Sequence, residues 1–162
     1  MGAPGVSGGR FTGHMAAPAR KQHLATIDLL RARPFPARRS RSARVTSGPG
    51  YHLADLVTSE EFWEDDGTAR LDALEECEAE CGALSAVLAE RWGEPQQMSL
   101  WSTLVRGGEG VPVPQPWLEL SAAAACLELW RADGRWIALA VCQQGAELPF
   151  QLVAAVTVND PP

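Results

Sequence analysis

Residues 127–158 read LELWRADGRWIALAVCQQGAELPFQLVAAVTV and contain the clearest structural signal in the chain. Apolar residues dominate and alternate through 127–131, 135–143 and 148–158, which is the pattern of β-strands with two distinct faces. Turn-forming residues separate the three segments, at 132–134 and around Gly145. The stretch therefore predicts an antiparallel meander of three strands.

The first turn decides which side chains share a face of the sheet. Gly134 suits the left-handed position that closes a three-residue loop at 132–134, and this loop sets Trp130 opposite Trp136. Because side chains alternate along a strand, the register then assigns each residue to one face. The face expected to pack in the core contains Leu127, Leu129, Ile137, Leu139 and Val141.

The opposite face, which we call the Trp face, is too apolar to be meant for water alone. It contains Cys126, Trp130, Trp136, Ala138, Ala140, Cys142, Val153 and Ala155. Such a patch is typical of an interaction site, and aromatic anchors often dominate binding energy. The alternative is that residues 51–63, or a second helix at 120–126, cover this face. The predicted partner-binding residues are Trp130, Trp136, Glu128, Ala138 and Val153.

A long amphipathic helix is predicted for residues 68–92. Its apolar stripe recurs every three or four residues and contains Leu71, Leu74, Cys77, Cys81, Leu84, Leu88 and Trp92. Asp65 and Asp66 precede the first turn, where negative charge is favourable, and Gly93 is expected to cap the other end. The side chains of Glu75, Glu76, Glu78 and Glu80 are expected in water, off the stripe.

The remaining segments complete an α+β fold class. Residues 97–106 alternate as a strand does, 107–116 form a Gly/Pro-rich loop, and 117–121 are ambiguous. Residues 52–62 suit a short helix or an irregular packed segment. The predicted architecture is one long amphipathic helix packed on a four- to five-stranded antiparallel sheet that ends in the meander.

The charge of the chain divides it near residue 50. Residues 1–50 hold nine Lys or Arg and one acid, a net of +8, whereas 51–162 hold five Arg and nineteen acids, a net of −14. The prediction is a disordered basic tail at 1–50, rich in Arg, Pro and Gly, and a single acidic α+β domain at 51–162. The residue usage is typical of a GC-rich bacterial gene, in which Met15 or Val45 is an alternative first residue.

Catalytic, cofactor and metal sites are not predicted. All three histidines, His14, His23 and His52, fall in the tail or at its junction, and no motif for a nucleophile, a dinucleotide or a metal is present. The four cysteines are expected to be reduced, with a diagonal Cys126–Cys142 pair as the redox alternative. An enzyme or small-ligand site would have to use a buried carboxylate among Glu119, Glu128 and Glu147.

The function predicted from these features is a non-enzymatic protein–protein interaction module, similar in profile to inhibitor, immunity or chaperone proteins. Its partner is expected to be a protein with a basic surface or a second copy of the chain. Nucleic-acid contact through residues 10–44 is an alternative. Because no apolar run reaches membrane-spanning length, a soluble cytoplasmic protein is expected.

Overall fold

A computed structural model describes residues 17–59 and 67–162. The helices in these ranges are α1 (Ala17–Ala32), α2 (Thr68–Trp92), α3 (Trp101–Gly108) and α4 (Trp117–Ser121). The strands are β1 (Ser40–Ser42), β2 (Val45–Gly48), β3 (Tyr51–Thr58), β4 (Gln96–Ser99), β5 (Cys126–Ala132), β6 (Arg135–Gln143) and β7 (Phe150–Thr157). The α+β fold class is confirmed, with seven described strands instead of four or five.

All seven strands form one antiparallel sheet in the order β1-β2-β3-β7-β6-β5-β4. Two meanders build it: β1–β2–β3 at one side, and the predicted β5–β6–β7 at the other. The last strand of the second meander returns to the centre, where β7 pairs with β3, and β4 is added at the far edge beyond β5. The two meanders are therefore joined into one sheet by the pairing of β3 with β7.

The register predicted for the first hairpin of the second meander is wrong by one residue. Asp133 and Gly134 both have positive φ, 53° and 78°, so they form a two-residue turn instead of a three-residue loop. Trp130 consequently pairs with Ile137, and Arg131 pairs with Trp136. Because a one-residue shift moves a whole strand's side chains to the other face, Leu127 and Leu129 are separated from Ile137, Leu139 and Val141.

The first face of the sheet is covered by α1 and α2. Leu84 and Leu88 of α2 are fully buried there, and so are Ile27 and Leu30 of α1. The sheet contributes mainly Ala54, Leu56, Trp130, Ile137, Leu139, Phe150, Leu152, Ala154 and Val156. This is the larger of the two hydrophobic clusters, and it contains the helix that the sequence predicts most clearly.

The second face is covered by the segment from Leu100 to residue 124, which contains α3 and α4. Leu100, Trp117 and Leu120 bury their side chains against Leu53, Leu127, Leu129, Val153 and Ala155. The indole Nε1 of Trp117 donates a hydrogen bond to the carbonyl oxygen of Asn159 at 3.1 Å. The cover thus includes a helix close to the predicted one at 120–126, whereas the described part of the alternative cover, Tyr51–Thr58, is strand β3 of the sheet itself.

Two further elements differ from prediction. The predicted strand at 97–106 ends at Ser99 and continues as α3, and the segment expected to be irregular from residue 52 is the central strand β3. Short apolar runs fit helical and extended patterns equally well, so the sequence pattern alone does not separate the two. Phe62 and Trp63, expected in the alternative cover, lie outside the described residues.

The prediction of a disordered tail at 1–50 is wrong from Ala17 onward, whereas residues 1–16 lie outside the described part of the chain. Helix α1 places His23, Ile27 and Leu30 against the core, one helical turn apart. The arginines of this segment pair with acids from the rest of the chain, as in Arg41–Asp55 at 3.1 Å and Arg39–Glu119 at 3.4 Å. The basic and acidic parts therefore belong to one fold, and residue 50 is not a boundary between order and disorder.

Helix α2 is confirmed at its predicted bounds. Gly93 caps its end with φ of 89°, and its N–H donates to the carbonyl oxygen of Ala89 at 2.8 Å. The stripe differs at Leu71, which is 57% exposed, and the prediction that Glu80 lies in water is wrong. Glu80 is buried because α1 packs over it and brings Arg20 to 3.4 Å from its carboxylate. Asp65 and Asp66 fall outside the described residues.

Candidate functional site

The predicted Trp face is divided between the two sides of the sheet. Trp130 is only 3% exposed and lies beneath the end of α2, where its Nε1 donates to the carbonyl oxygen of Gly93 at 2.9 Å. The ring of Trp92 meets it edge-on at 6.4 Å between centroids. Trp130 is therefore a core residue, and the prediction that it stands beside Trp136 is wrong.

Trp136 occupies the second face, near the outer end of β6. Its Nε1 donates to Asp160 at 3.0 Å, and the guanidinium of Arg131 stacks on the ring at 4.5 Å. Ala138 and Val153 share this face as predicted, but they are buried in the cluster that contains Leu100, Trp117 and Leu120. The predicted partner-binding residues are therefore not assembled into one exposed surface, although Trp136 remains half-buried at its margin.

Glu128 lies on the same side of β5 as Trp130, which is the side of α2. One carboxylate oxygen accepts a hydrogen bond from the Gln97 amide at 3.2 Å, and the other is buried without a hydrogen-bond partner in the described part of the chain. Glu147 is exposed in the loop before β7, and Glu119 is half-buried on α4. The three acids predicted as candidates thus lie in three separate environments.

An exposed apolar surface occurs where the sequence predicts a strand. Helix α3 directs Trp101, Leu104 and Val105 into solvent, and Trp101 is 68% exposed. Their i, i+3, i+4 spacing places the three side chains on one helical face. The buried side of the same helix carries Thr103, which is 1% exposed. The amphipathic helix α3 therefore directs its apolar side outward.

Helix α4 extends this exposed surface. A Cβ atom at Gly107 would lie 2.7 Å from Cδ1 of Leu118, so the glycine permits α4 to pack closely against α3. Leu118 is partly exposed beside Gly107, and Val111 is exposed in the loop that follows α3. We call the surface formed by Trp101, Leu104, Val105, Val111 and Leu118 the Trp101 surface. The spacing at 101, 104 and 105 is the sequence signal for it.

A polar cavity lies on the second face, where the cover of α4 ends. Its volume is about 230 Å³, and we call it the Arg41 cavity. Apolar residues form much of its wall: Leu53, Leu120, Ala123, Cys142 and Val153. The polar groups are those of Arg41, Thr46, Asp55, Glu119, Gln144 and Gln151. Because these residues come from β1, β2, β3, α4 and the ends of β6 and β7, no local sequence motif announces the cavity.

The side chains of the Arg41 cavity are held by pairing across the strands. Arg41 donates to Thr46 Oγ1 at 2.7 Å and to Asp55 Oδ2 at 3.1 Å. Glu119 is 3.4 Å from Arg39 at the rim. Burial, with the nearby carboxylates of Asp55 and Glu119, raises the pKa of Cys142 to about 12, so its thiol stays protonated at neutral pH.

The two described histidines are buried structural groups. Nδ1 of His52 lies 2.6 Å from Ser47 Oγ, and Nε2 lies 3.2 Å from the carbonyl oxygen of Arg33. Since a carbonyl only accepts, Nε2 carries the proton and Nδ1 accepts from the serine hydroxyl. Burial lowers the pKa of His52, and burial also lowers the pKa of His23 despite the opposing charge of Glu80. The prediction that His23 lies in a disordered tail is wrong, and His52, expected at the junction of tail and domain, lies in β3.

All four cysteines are free thiols. Cys126 lies on the side of α2 and Cys142 on the second face, so the predicted diagonal pair is wrong. Burial raises the pKa of Cys77 to about 11, and that of Cys81 to about 12. Within residues 17–59 and 67–162, no three His, Cys, Asp or Glu side chains cluster closely enough to hold a metal ion. None of the helices in these ranges has the length and apolar character needed to cross a membrane.

Comparison with known proteins gives no match: no protein-family model, no curated protein and no solved structure is similar to this chain.

Proposed function

We propose that this protein is a non-enzymatic interaction module that binds a protein partner through the Trp101 surface. The observation that carries the proposal is the orientation of α3. An amphipathic helix at a protein surface normally turns its apolar side to the core. Here Trp101, Leu104 and Val105 face solvent, and contiguous exposed apolar surface of this kind usually marks an interaction site.

Trp101 is the expected anchor of the interface. An aromatic side chain buries about 150–250 Å², so an exposure of 68% leaves roughly 100–170 Å² of this residue in water. At about 25 cal/mol per Å², covering that area contributes about 2.5–4 kcal/mol. This range matches the binding energy that tryptophan hot spots supply in protein interfaces.

The charge of the chain favours a partner with a basic surface. The formal net charge of the chain is −6. A negative field speeds the encounter with a positive partner and slows that with another acidic molecule. Association with a second copy is therefore less favoured than binding to a different, basic protein.

The buried histidines support a binding function over catalysis. A general base near neutral pH must reach its substrate, but the ring nitrogens of His52 are occupied by Ser47 and the Arg33 carbonyl. Nucleic-acid contact through residues 10–44 is disfavoured, because Arg20, Arg39 and Arg41 are paired with acids of the same chain. Neither alternative is supported by an exposed feature comparable to the Trp101 surface.

Site-specific photocrosslinking tests this proposal. A photoreactive phenylalanine analogue replaces Trp101 in one variant and Leu71 in a control, since Leu71 is similarly exposed at 57% but lies on α2. The proposal predicts a discrete adduct with a basic protein from position 101 and none from position 71. Equal adducts at both positions would contradict it. An adduct of twice the chain mass would show that the partner is a second copy of the chain and not a different, basic protein.

A further inference from the structure

We propose that the Arg41 cavity binds a small zwitterion of amino-acid size, with its ammonium group between Asp55 and Glu119 and its carboxylate towards Arg41. The cavity is separate from the Trp101 surface and goes beyond the interaction function. Its wall combines apolar side chains with several converging polar groups, and polar groups of this kind fix the orientation of a bound small molecule.

The acidic side of the cavity has unused acceptor capacity. Asp55 gives one oxygen to Arg41, and Glu119 gives one to Arg39, which leaves the second oxygen of each carboxylate for a ligand. The two acids both line the cavity, together with Cys142, so they face a common space. An ammonium group placed between them has three N–H donors for these oxygens.

The basic side is formed by Arg41, whose orientation is set before any ligand arrives. Thr46 is almost fully buried and accepts from one terminal nitrogen of Arg41, while Asp55 accepts from the other. Each terminal nitrogen has a second N–H, and a carboxylate is the group that this planar pair of donors matches best. The amides of Gln144 and Gln151 add neutral donors and acceptors to the wall.

Charge balance and size select the ligand class. The positive charges of Arg39 and Arg41 balance the negative charges of Asp55 and Glu119. A zwitterion therefore finds an opposite charge for each of its two charged groups, whereas a lone cation pairs only with the acids and a lone anion only with the arginines. A volume of about 230 Å³ equals the share of roughly eight water molecules in the liquid. That space suits a molecule of about eight or more non-hydrogen atoms with a short side chain that contacts Leu53 and Val153.

The experiment measures thermal unfolding of the full chain in the presence of each standard L-amino acid, methylamine, acetate or glucose. Ligand at about ten times its Kd is expected to raise Tm by about 3 °C or more. The proposal predicts this shift for at least one amino acid and for none of the three single-function probes. The absence of a shift with every amino acid would overturn it, and so would a shift with glucose, methylamine or acetate alone.

Variants then assign the binding to the cavity. Asp55→Asn and Glu119→Gln keep the shape of each side chain and remove its charge. Each variant is expected to weaken binding of the amino acid at least tenfold. Glu147→Gln is the matched control, because Glu147 is exposed outside the cavity lining, and it is expected to leave the affinity unchanged. Unchanged affinity in both cavity variants, or an equal loss in the control, would overturn the proposal.

Discussion

Leu29 and Leu30 are adjacent leucines of α1 that test whether the basic segment belongs to the core. Leu30 is 0% exposed and packs in the cluster that contains Leu84 and Leu88, whereas Leu29 is 55% exposed. Replacement by Ala removes the same atoms at both positions and leaves the helix propensity nearly unchanged. Any difference between the two variants therefore reports the environment of the side chain.

The expected cost for Leu30→Ala is about 3 kcal/mol, within the range of about 2–5 kcal/mol for a buried leucine that leaves a cavity. Leu29→Ala is expected to change stability by less than about 0.5 kcal/mol. For a chain of 162 residues, 3 kcal/mol corresponds to a fall in Tm of about 6–12 °C. The carbonyl of Leu30, which accepts from Arg135 at 3.0 Å, is retained in the variant, so the loss comes from the side chain.

Urea unfolding followed by far-UV circular dichroism measures the difference, with the m-value checked for constancy. A variant that begins at Val45 lacks the whole of α1, with the buried Ile27 and Leu30, and is expected to lose cooperative unfolding. Equal stability of Leu29→Ala and Leu30→Ala would refute the placement of α1 in the core. It would also restore the interpretation of residues 17–44 as a tail.

Three further predictions follow from the backbone, the histidines and the thiols. Gly134→Ala is expected to destabilise the fold by about 1–2 kcal/mol, because the φ of Gly134 is 78°. Gly82→Ala is expected to stabilise the fold by about 0.5–1 kcal/mol, because Gly82 lies in a helix with open space around it. Urea midpoints that shift in the same direction for both variants would contradict this prediction. The folded state lowers the pKa of His23 and His52 below the ordinary 6.5, so the unfolded chain binds more protons and stability should fall as pH drops below about 6.5. Urea midpoints from pH 8 to 5 measure this slope, which His52→Gln should reduce. In the native protein one thiol, that of the exposed Cys126, should react with Ellman's reagent at pH 8. Burial disfavours the thiolate of the other three cysteines. Rapid reaction of three or four thiols would contradict this prediction.

The sequence predicts α2 and the second meander well because their signals are local. A stripe at helical spacing, a C-terminal glycine and alternating strands need no information from distant residues. The register of the hairpin is different, since Gly134 fits the three-residue loop and the two-residue turn equally. What separates them is the left-handed conformation of Asp133, and its cost is offset only in the folded hairpin.

The basic segment and the functional surfaces depend on distant contacts. The stripe of α1 is too short to predict a stable helix alone, and it is ordered by packing on α2 and by ion pairs such as Arg20–Glu80 at 3.4 Å. The sequence shows the apolar residue Trp101, but whether its side chain is exposed depends on which side of α3 packs towards the second face. The Arg41 cavity needs residues from six elements, so only the folded chain brings Asp55 and Glu119 together.

The most direct test of the Trp101 surface compares Trp101→Ala with Trp136→Ala in binding to the protein recovered by crosslinking at position 101. Trp101→Ala is expected to weaken binding by at least about 30-fold, the equivalent of about 2 kcal/mol, with Tm nearly unchanged. Trp136→Ala is expected to retain binding within about threefold, because its indole is engaged by Asp160 and Arg131. Loss of binding in Trp136→Ala together with full binding in Trp101→Ala would place the interface on the sheet face near Trp136 and contradict the proposed role of α3.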